Sequence, residues 1–442
     1  MSTKTGWALL AVATIAVLLY TVQRDLRYEE SNSSDLRNRV VGARLIKDGR
    51  SPYFYKWRTG DPVRYYNPSD FDSFKVSAAT ASPFFHHLLS PLVEFPQSCL
   101  SPIWLCLEFM LFTGLAIFAF SLAATTVQQW IVVVCSLLFL FTNAWMMHVY
   151  KGQLYICIPF LSMLFFFCMR KDQHPGFALA AGTVAASLVL IRVNTILYLV
   201  PFLFLLRFYT RRWRLAFFLP ILLLAAWTLG NRQEWRLWQD YRSQVSEWTG
   251  IYHGDPHTTQ QNSPDPAYIK WEGLDMETNW KLQSTLPKFY MEDSSIFQFV
   301  NSVFHRRIPL AFLGMAAAGI IVALILLFYF RNRPFRKEDI PGIAIFGFCL
   351  YMLSDLFSPI YRYQYFAVQW IFPLLLAASS FQPRRKVPYG LLLTGLLLNC
   401  IHLSFIKMEN TLGEYMILAG LLVLSTFPGV VFPQKSAPAS LS

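Results

Sequence analysis

WALLAVATIAVLLYTV, residues 7–22, is followed at once by Arg24 and Asp25 and then, at 33–49, by SSDLRNRVVGARLIKDG. The first run is close to the roughly 20 apolar residues that carry an α-helix across the hydrocarbon core of a bilayer. Lys4 is the charge that precedes it, and no small-x-small cleavage site follows it, so it reads as a retained first helix rather than a signal peptide. In the polar stretch, apolar residues fall at 36, 40, 41, 43, 45 and 46, which is roughly helical spacing. Ser33 or Ser34 is a candidate cap and Gly49 a candidate stop. A short amphipathic helix at the membrane surface is expected there.

The rest of the chain continues the first half of this pattern. Of 442 residues, 55% are apolar and only 14% charged, against about a quarter charged in a soluble domain. The net charge of +12 does not point to nucleic acid, because the basic residues sit mostly at the ends of apolar blocks. Cysteines 99, 106, 135, 157, 168, 349 and 400 lie in or beside apolar segments without metal-ligand spacing, and imply neither a disulfide framework nor a metal site.

The expected fold is all-α and polytopic, with about twelve transmembrane helices. Their centres fall near residues 15, 112, 136, 160, 181, 201, 221, 320, 350, 373, 397 and 423. One set of connections holds Arg170-Lys171, Arg211-Arg212-Arg214, Arg331-Arg333-Arg336-Lys337 and Arg384-Arg385-Lys386. The other short connections hold single cations, Lys151, Arg192, Arg362 and Lys407. The first set is assigned to the cytoplasm, with both termini.

The segments are then a first helix at 1–22, an outer loop at 23–99, helices two to seven at 100–230, a second outer loop at 231–308, helices eight to twelve at 309–432, and a cytoplasmic tail at 433–442. SPFFHHLLSPLVEFP at 82–96 reads as a further interfacial segment, and the second loop carries Trp235, Trp238, Trp248, Trp271 and Trp280, suited to the headgroup level. No internal repeat is visible, which gives an inverted-repeat transporter no support.

Long polar loops with acids and bases at the outer face suit an enzyme that moves a sugar from a lipid phosphate carrier to an acceptor outside the cytoplasm. Such a transfer needs a carboxylate to take the acceptor's proton and cations to hold the departing phosphate. Asp35 follows the first helix, with Ala43, Gly49 and Tyr53 after it. ASPFFHHLLSPLVEFP at 81–96 supplies Pro83, Phe84, Pro91 and Pro96, YKGQLY supplies Gly152-Gln153, LVLIRVNTILYLVP supplies Arg192, and DLFSPIYRYQYF supplies Ser358-Pro359.

In that order, over about residues 20–380, these phrases resemble the GT-C membrane glycosyltransferases, specifically the bacterial polyprenol-phosphate-mannose-dependent mannosyltransferases. The resemblance implies Asp35 as general base; inversion at the anomeric carbon follows if that one base activates the acceptor for in-line displacement. The resemblance also implies Arg192 at the donor phosphate, and Tyr53 and Gln153 as substrate contacts. By residue type and position, Arg362 and Lys151 are further candidates for the donor phosphate, and His86 and His87 for substrate headgroups. The partners implied are a polyprenyl-phosphate-linked hexose, a glycan or glycolipid acceptor and membrane lipids, in the bacterial cytoplasmic membrane, with no cofactor and no metal. The family's late phrase continues with Trp and His, whereas this chain has Tyr361, Arg362, Tyr363 and Gln364. That departure leaves mannose itself open.

Each assignment has a structural counterpart. Asp35 is also a helix N-terminal charge favoured by the helix dipole, and Asp25 is a rival base nearer the membrane. Arg192, between apolar runs, is either functional or snorkels to the interface, and Asp355 is a ready partner for Arg362. The Asp70-x-Asp72 pattern in SDFDS imitates a metal-binding pair, but a monophosphate donor has no diphosphate for a metal to bridge. A transporter or flippase of a lipid-linked or small polar substrate is the alternative from another class. A glycan ligase that uses a diphosphate carrier is the alternative within transferases.

Overall fold

The computed structural model describes residues 3–31, 33–58, 60–66, 79–171, 174–253, 294–304, 306, 308–358, 362–401 and 408–426. Asp70, Asp72, Trp271, Trp280, Pro359, Tyr361, Lys407 and the tail at 433–442 lie outside them. Among the described residues the chain is helical, with no strand.

The elements that build the bundle are α1 (Thr3–Ser31), α2 (Ser34–Lys47), α3 (Pro83–Leu88), α4 (Gln97–Leu122), α5 (Thr126–Phe139), α6 (Asn143–Lys151), α7 (Cys157–Arg170) and α8 (Pro175–Ile191). They continue as α9 (Ile196–Leu199), α10 (Arg211–Gly230), α11 (Arg232–His253), α12 (Ile296–Phe304), α13 (Leu310–Arg331), α14 (Ile340–Leu356), α15 (Ile371–Ser379), α16 (Lys386–Leu398) and α17 (Glu409–Thr426).

Among the described residues five helices are long and apolar enough to cross a membrane, or six if α5 and α6, bent by 54°, form one span. The other apolar helices are shorter, at 10–17 residues, so length alone does not reproduce twelve spans. The stretch around residue 201, expected as an α-helix, is a case in point. It runs as 3-10 turns at Val193–Thr195 and Val200–Phe208 on either side of the four-residue α9. Pro201 offers no N–H to an α-helical ladder there.

Burial separates centre from rim. The span that contains α14 is 83% buried, whereas those of α1 and α13 are each 17% buried. Leu9, Val12, Ile15 and Leu19 on α1, Leu222 and Leu223 on α10, and Phe312, Met315 and Phe330 on α13 stay exposed. An apolar exterior with polar groups turned inward is the arrangement a bilayer demands. Lipid is as apolar as leucine, so close helix approach through small residues has to hold the bundle together. A Cβ on Gly395 would lie 2.5 Å from the Gly413 carbonyl oxygen, and one on Gly182 would lie 2.0 Å from that of Phe217.

Contacts between distant residues define two poles. At one, the Tyr209 hydroxyl donates to the Met169 carbonyl (2.6 Å), Arg207 to that of Phe335 (3.4 Å), and Lys337 lies over the Tyr209 ring. This pole gathers the basic connections. The other pole gathers α2, α3, α6, the starts of α7 and α17, and the ends of α8 and α14.

Candidate functional site

At the second pole the chain leaves α1 and turns into α2 at Ser33, whose φ of 33° is left-handed. The expected serine cap is absent: no side-chain cap bond forms, and the Ser33 hydroxyl instead accepts from Ser101 at 3.3 Å. The Ser33 N–H donates to the Tyr150 carbonyl at 3.2 Å. The start of α2 is thereby pinned to α4 and α6. Leu36, Val40 and Ala43 enter the main core, and Val41 and Leu45 pack on Tyr65. The helix is embedded in protein along this face rather than resting on a surface alone.

That docking presents Asp35 on the first turn with its side chain 31% exposed. The Gln153 amide donates to one carboxylate oxygen, and the Ser34 hydroxyl to the other at 3.3 Å. Arg39, one turn on, stands 4.0 Å from the carboxylate. It donates to the Gln153 side-chain oxygen at 2.6 Å and to the Gly152 carbonyl at 3.2 Å. Trp104 donates to the Gln153 carbonyl at 3.2 Å.

Gly152 makes this geometry possible. Its φ is +62°, and a Cβ there would lie 2.8 Å from that of Leu36. A side chain is therefore excluded both by conformation and by the approach of α2. The turn is braced from below by His148, whose Nε2 accepts from the Ile156 N–H (3.2 Å) and whose Nδ1 lies 3.2 Å from Glu108.

Behind α2 lie Tyr53, His86 and His87. Tyr53 is buried and donates to the Ala81 carbonyl at 2.9 Å. His86 is buried, with Nδ1 3.0 Å from the Arg39 carbonyl, so Nδ1 carries the hydrogen. Its ring fills the space a Cβ on Gly42 would take, 2.3 Å away. Burial pushes the His86 imidazole down to about 4. His87 pairs with Glu234 of α11 at 2.6 Å and tilts its edge to Trp227. Tyr53 and His86 thus hold α2 from behind, and His87 ties α3 to α11. All three, expected as substrate contacts, have protein partners. Asp25 is buried between Arg24 (2.7 Å) and the Trp145 indole N–H (2.9 Å), which leaves Asp35 as the more open carboxylate.

The cations lie beyond the 152–156 turn. Arg192 marks the break between α8 and the 3-10 turn after it. One end of its guanidinium pairs with Asp355, while Nη1 has no hydrogen-bond partner among the described residues. The group is packed over Phe366 (4.6 Å to the ring centroid) and Tyr155 (5.1 Å), and the side chain stays 20% exposed.

Arg362 is different. It is fully buried and donates to Asp355 (2.8 Å), to both oxygens of Glu414 (2.8 Å each) and to Ser294. Four of the five N–H groups of a guanidinium are thereby committed. Glu414 also accepts from the Trp370 indole at 2.8 Å. Arg362 is a clamp that joins α14, α17 and the 294 segment, with little left for a phosphate. Glu414 stands out in the sequence as an acid inside an apolar helix, but only the fold pairs it with Arg362.

Tyr155 connects the two clusters. It feels the charges of Arg192 and Asp355 on one side and of Arg39 and Asp35 on the other. Lys151, at the end of α6, lies beside the Tyr150 ring and forms no ion pair among the described residues.

No family model matches the chain, and no curated protein does. Among solved structures it is similar to a crystal structure of ArnT from Cupriavidus metallidurans bound to undecaprenyl phosphate, at 14% identity. The match covers 96% of this chain and 77% of that one, with a TM-score of 0.36. At that depth the likeness settles neither the fold family nor the activity.

Proposed function

We propose that the chain is a C-type membrane glycosyltransferase that moves a hexose from a polyprenyl-phosphate carrier to a glycan or glycolipid acceptor. The observation that carries this reading is a juxtaposition. A partly exposed carboxylate, held by Gln153 and Arg39, shares one pole with a guanidinium that keeps an unbonded N–H. Tyr155 stands within reach of both. A base at one end and a cation at the other are the two requirements of sugar transfer from a phosphate.

In this reading Asp35 takes the proton of the acceptor hydroxyl as its oxygen attacks the anomeric carbon. The new carbon–oxygen bond forms while the bond to the carrier phosphate breaks. The electron pair leaves on polyprenyl phosphate, whose extra charge Arg192 and Lys151 stabilise. One in-line displacement inverts the anomeric centre. Gln153 and Arg39 fix the direction of the Asp35 carboxylate, and Arg362 holds Asp355, and through it Arg192, in place. The same reading assigns the site pole to the outer face of a bacterial cytoplasmic membrane, counts the twelve apolar segments as crossings, and places both termini inside.

The test is transfer by the purified chain in vesicles without any ion gradient. Transfer from a polyprenyl-phosphate hexose supports the reading. Uptake or flipping of such a substrate with no transfer assigns the protein to transport instead. Transfer only from a diphosphate-linked oligosaccharide assigns it to the ligases.

A further inference from the structure

The tyrosines around the site divide into two groups. The hydroxyls of Tyr53 and Tyr351 are spent on protein acceptors: the carbonyl of Ala81 and the side chain of Gln369. Those of Tyr155 and Tyr241 have no hydrogen-bond partner among the described residues, and both side chains are partly exposed. Tyr241, on α11, is within electrostatic reach of Tyr155 and Arg192, and its ring is stationed by Tyr53 at 5.5 Å. Tyr155 packs its ring under the Arg192 guanidinium at 5.1 Å. Arg192 itself keeps Nη1 unbonded. Tyr365 also lacks a hydroxyl partner, but it is only 6% exposed and lies toward Asp35 and Arg39 instead.

The Arg192 N–H is buried and costly to leave unmatched, and the two hydroxyls, from α11 and the 152–156 turn, are open to a ligand on its side of the site. Tyr155 lies between the Arg192 and Asp35 charges, and Tyr241 lies on the Arg192 side. We propose that Tyr241 is a phosphate-contacting residue and Tyr155 a sugar-contacting residue of this site, their hydroxyls and the spare Arg192 N–H together forming the donor cradle. The assignment rests on the transferase reading above and deepens it. Tyr241 shares its surroundings with Arg192, where the departing phosphate gathers charge, so its O–H donates to a phosphate oxygen. Tyr155 stands between the base and the cation, where the transferred ring must lie, so its hydroxyl meets a ring hydroxyl.

The test uses the full chain in vesicles, with polyprenyl monophosphate as a binding probe and polyprenyl-phosphate hexose as donor. Tyr→Phe keeps each ring and its stacking, so an unchanged melting temperature is expected for both variants. Y241F is expected to weaken binding of the monophosphate by about tenfold, the loss typical of a charge-assisted hydrogen bond. Y155F is expected to leave that binding unchanged and to lower kcat/KM for transfer by about tenfold. Wild-type binding and wild-type transfer in both variants overturn the assignment while leaving the transferase reading intact. A wild-type chain that transfers nothing, with Y241F still weakened for the monophosphate, removes the transferase reading and keeps the Tyr241 contact.

Discussion

The environment around Asp35 puts most of the chemistry on one carboxylate and gives two neighbours the task of aiming it. Gln153 does so through its amide, which is itself held by Arg39. Gln153→Ala is therefore expected to lower kcat by about tenfold or more, because the interaction matters most when the base must face the acceptor, and to cost about 1–3 kcal/mol, because buried Arg39 loses its acceptor. Paired kcat and melting measurements check this. Arg362 predicts a larger loss of stability. Removing one member of a buried ion pair strands the other, so Arg362→Ala or Glu414→Ala is expected to cost about 3–5 kcal/mol. A joint Arg362→Met, Glu414→Leu replacement is expected to recover much of that loss in denaturation experiments. The order Asp35, Gly152-Gln153, Arg192 was legible in the sequence because each residue sits in a recognisable phrase. The partner of Glu414 was not, because Arg362 lies 52 residues away and nothing local announces the pairing.

Among the elements, α2 is the part on which the site depends. The apolar spacing of residues 36–46 placed this helix close to its observed span of Ser34–Lys47. Its cap was not legible, because the Ser33 hydroxyl turns to Ser101, a partner from a distant element. The 3-10 turns near residue 201 were hidden for a related reason: an apolar run has the same appearance in either helix type. Two consequences follow from how α2 docks. Gly152→Ala forces a side chain into a left-handed conformation and against Leu36, so it is expected to cost about 1–3 kcal/mol and to lower activity with it.

His86, the buried brace behind α2, gives a pH dependence. Burial lowers its value from 6.5 to about 4, so the folded protein refuses a proton that the unfolded chain accepts. Stability from this group is complete above 6.5 and falls as the pH drops toward 4, by up to about 3 kcal/mol. A melting profile from pH 7 to 4 should show that slope. His86→Asn or His86→Gln should remove the His86 share of it.

For the whole molecule, the sequence disclosed the solvent before any site. Apolar blocks with basic ends point to a bilayer, and the structure answers with exposed leucines and phenylalanines on α1, α10 and α13 around the buried α14. The number of crossings was harder to read from helix length, since several apolar stretches are broken within the bundle. The division into a basic pole and a site pole makes a topological prediction. In sealed vesicles, an impermeant thiol reagent should reach a cysteine placed at Arg58 from the opposite side to one placed at Arg212. Labelling of both from the same side contradicts the proposed orientation. The central claim is that Asp35 accepts the acceptor's proton while a lipid-borne sugar changes hands. The measurement that tests it most directly is the rate of sugar transfer from polyprenyl-phosphate hexose by Asp35→Asn, in protein shown to be folded and to bind polyprenyl monophosphate. Binding is expected to survive and transfer to fall by at least about a hundredfold. Transfer at the wild-type rate would contradict the claim.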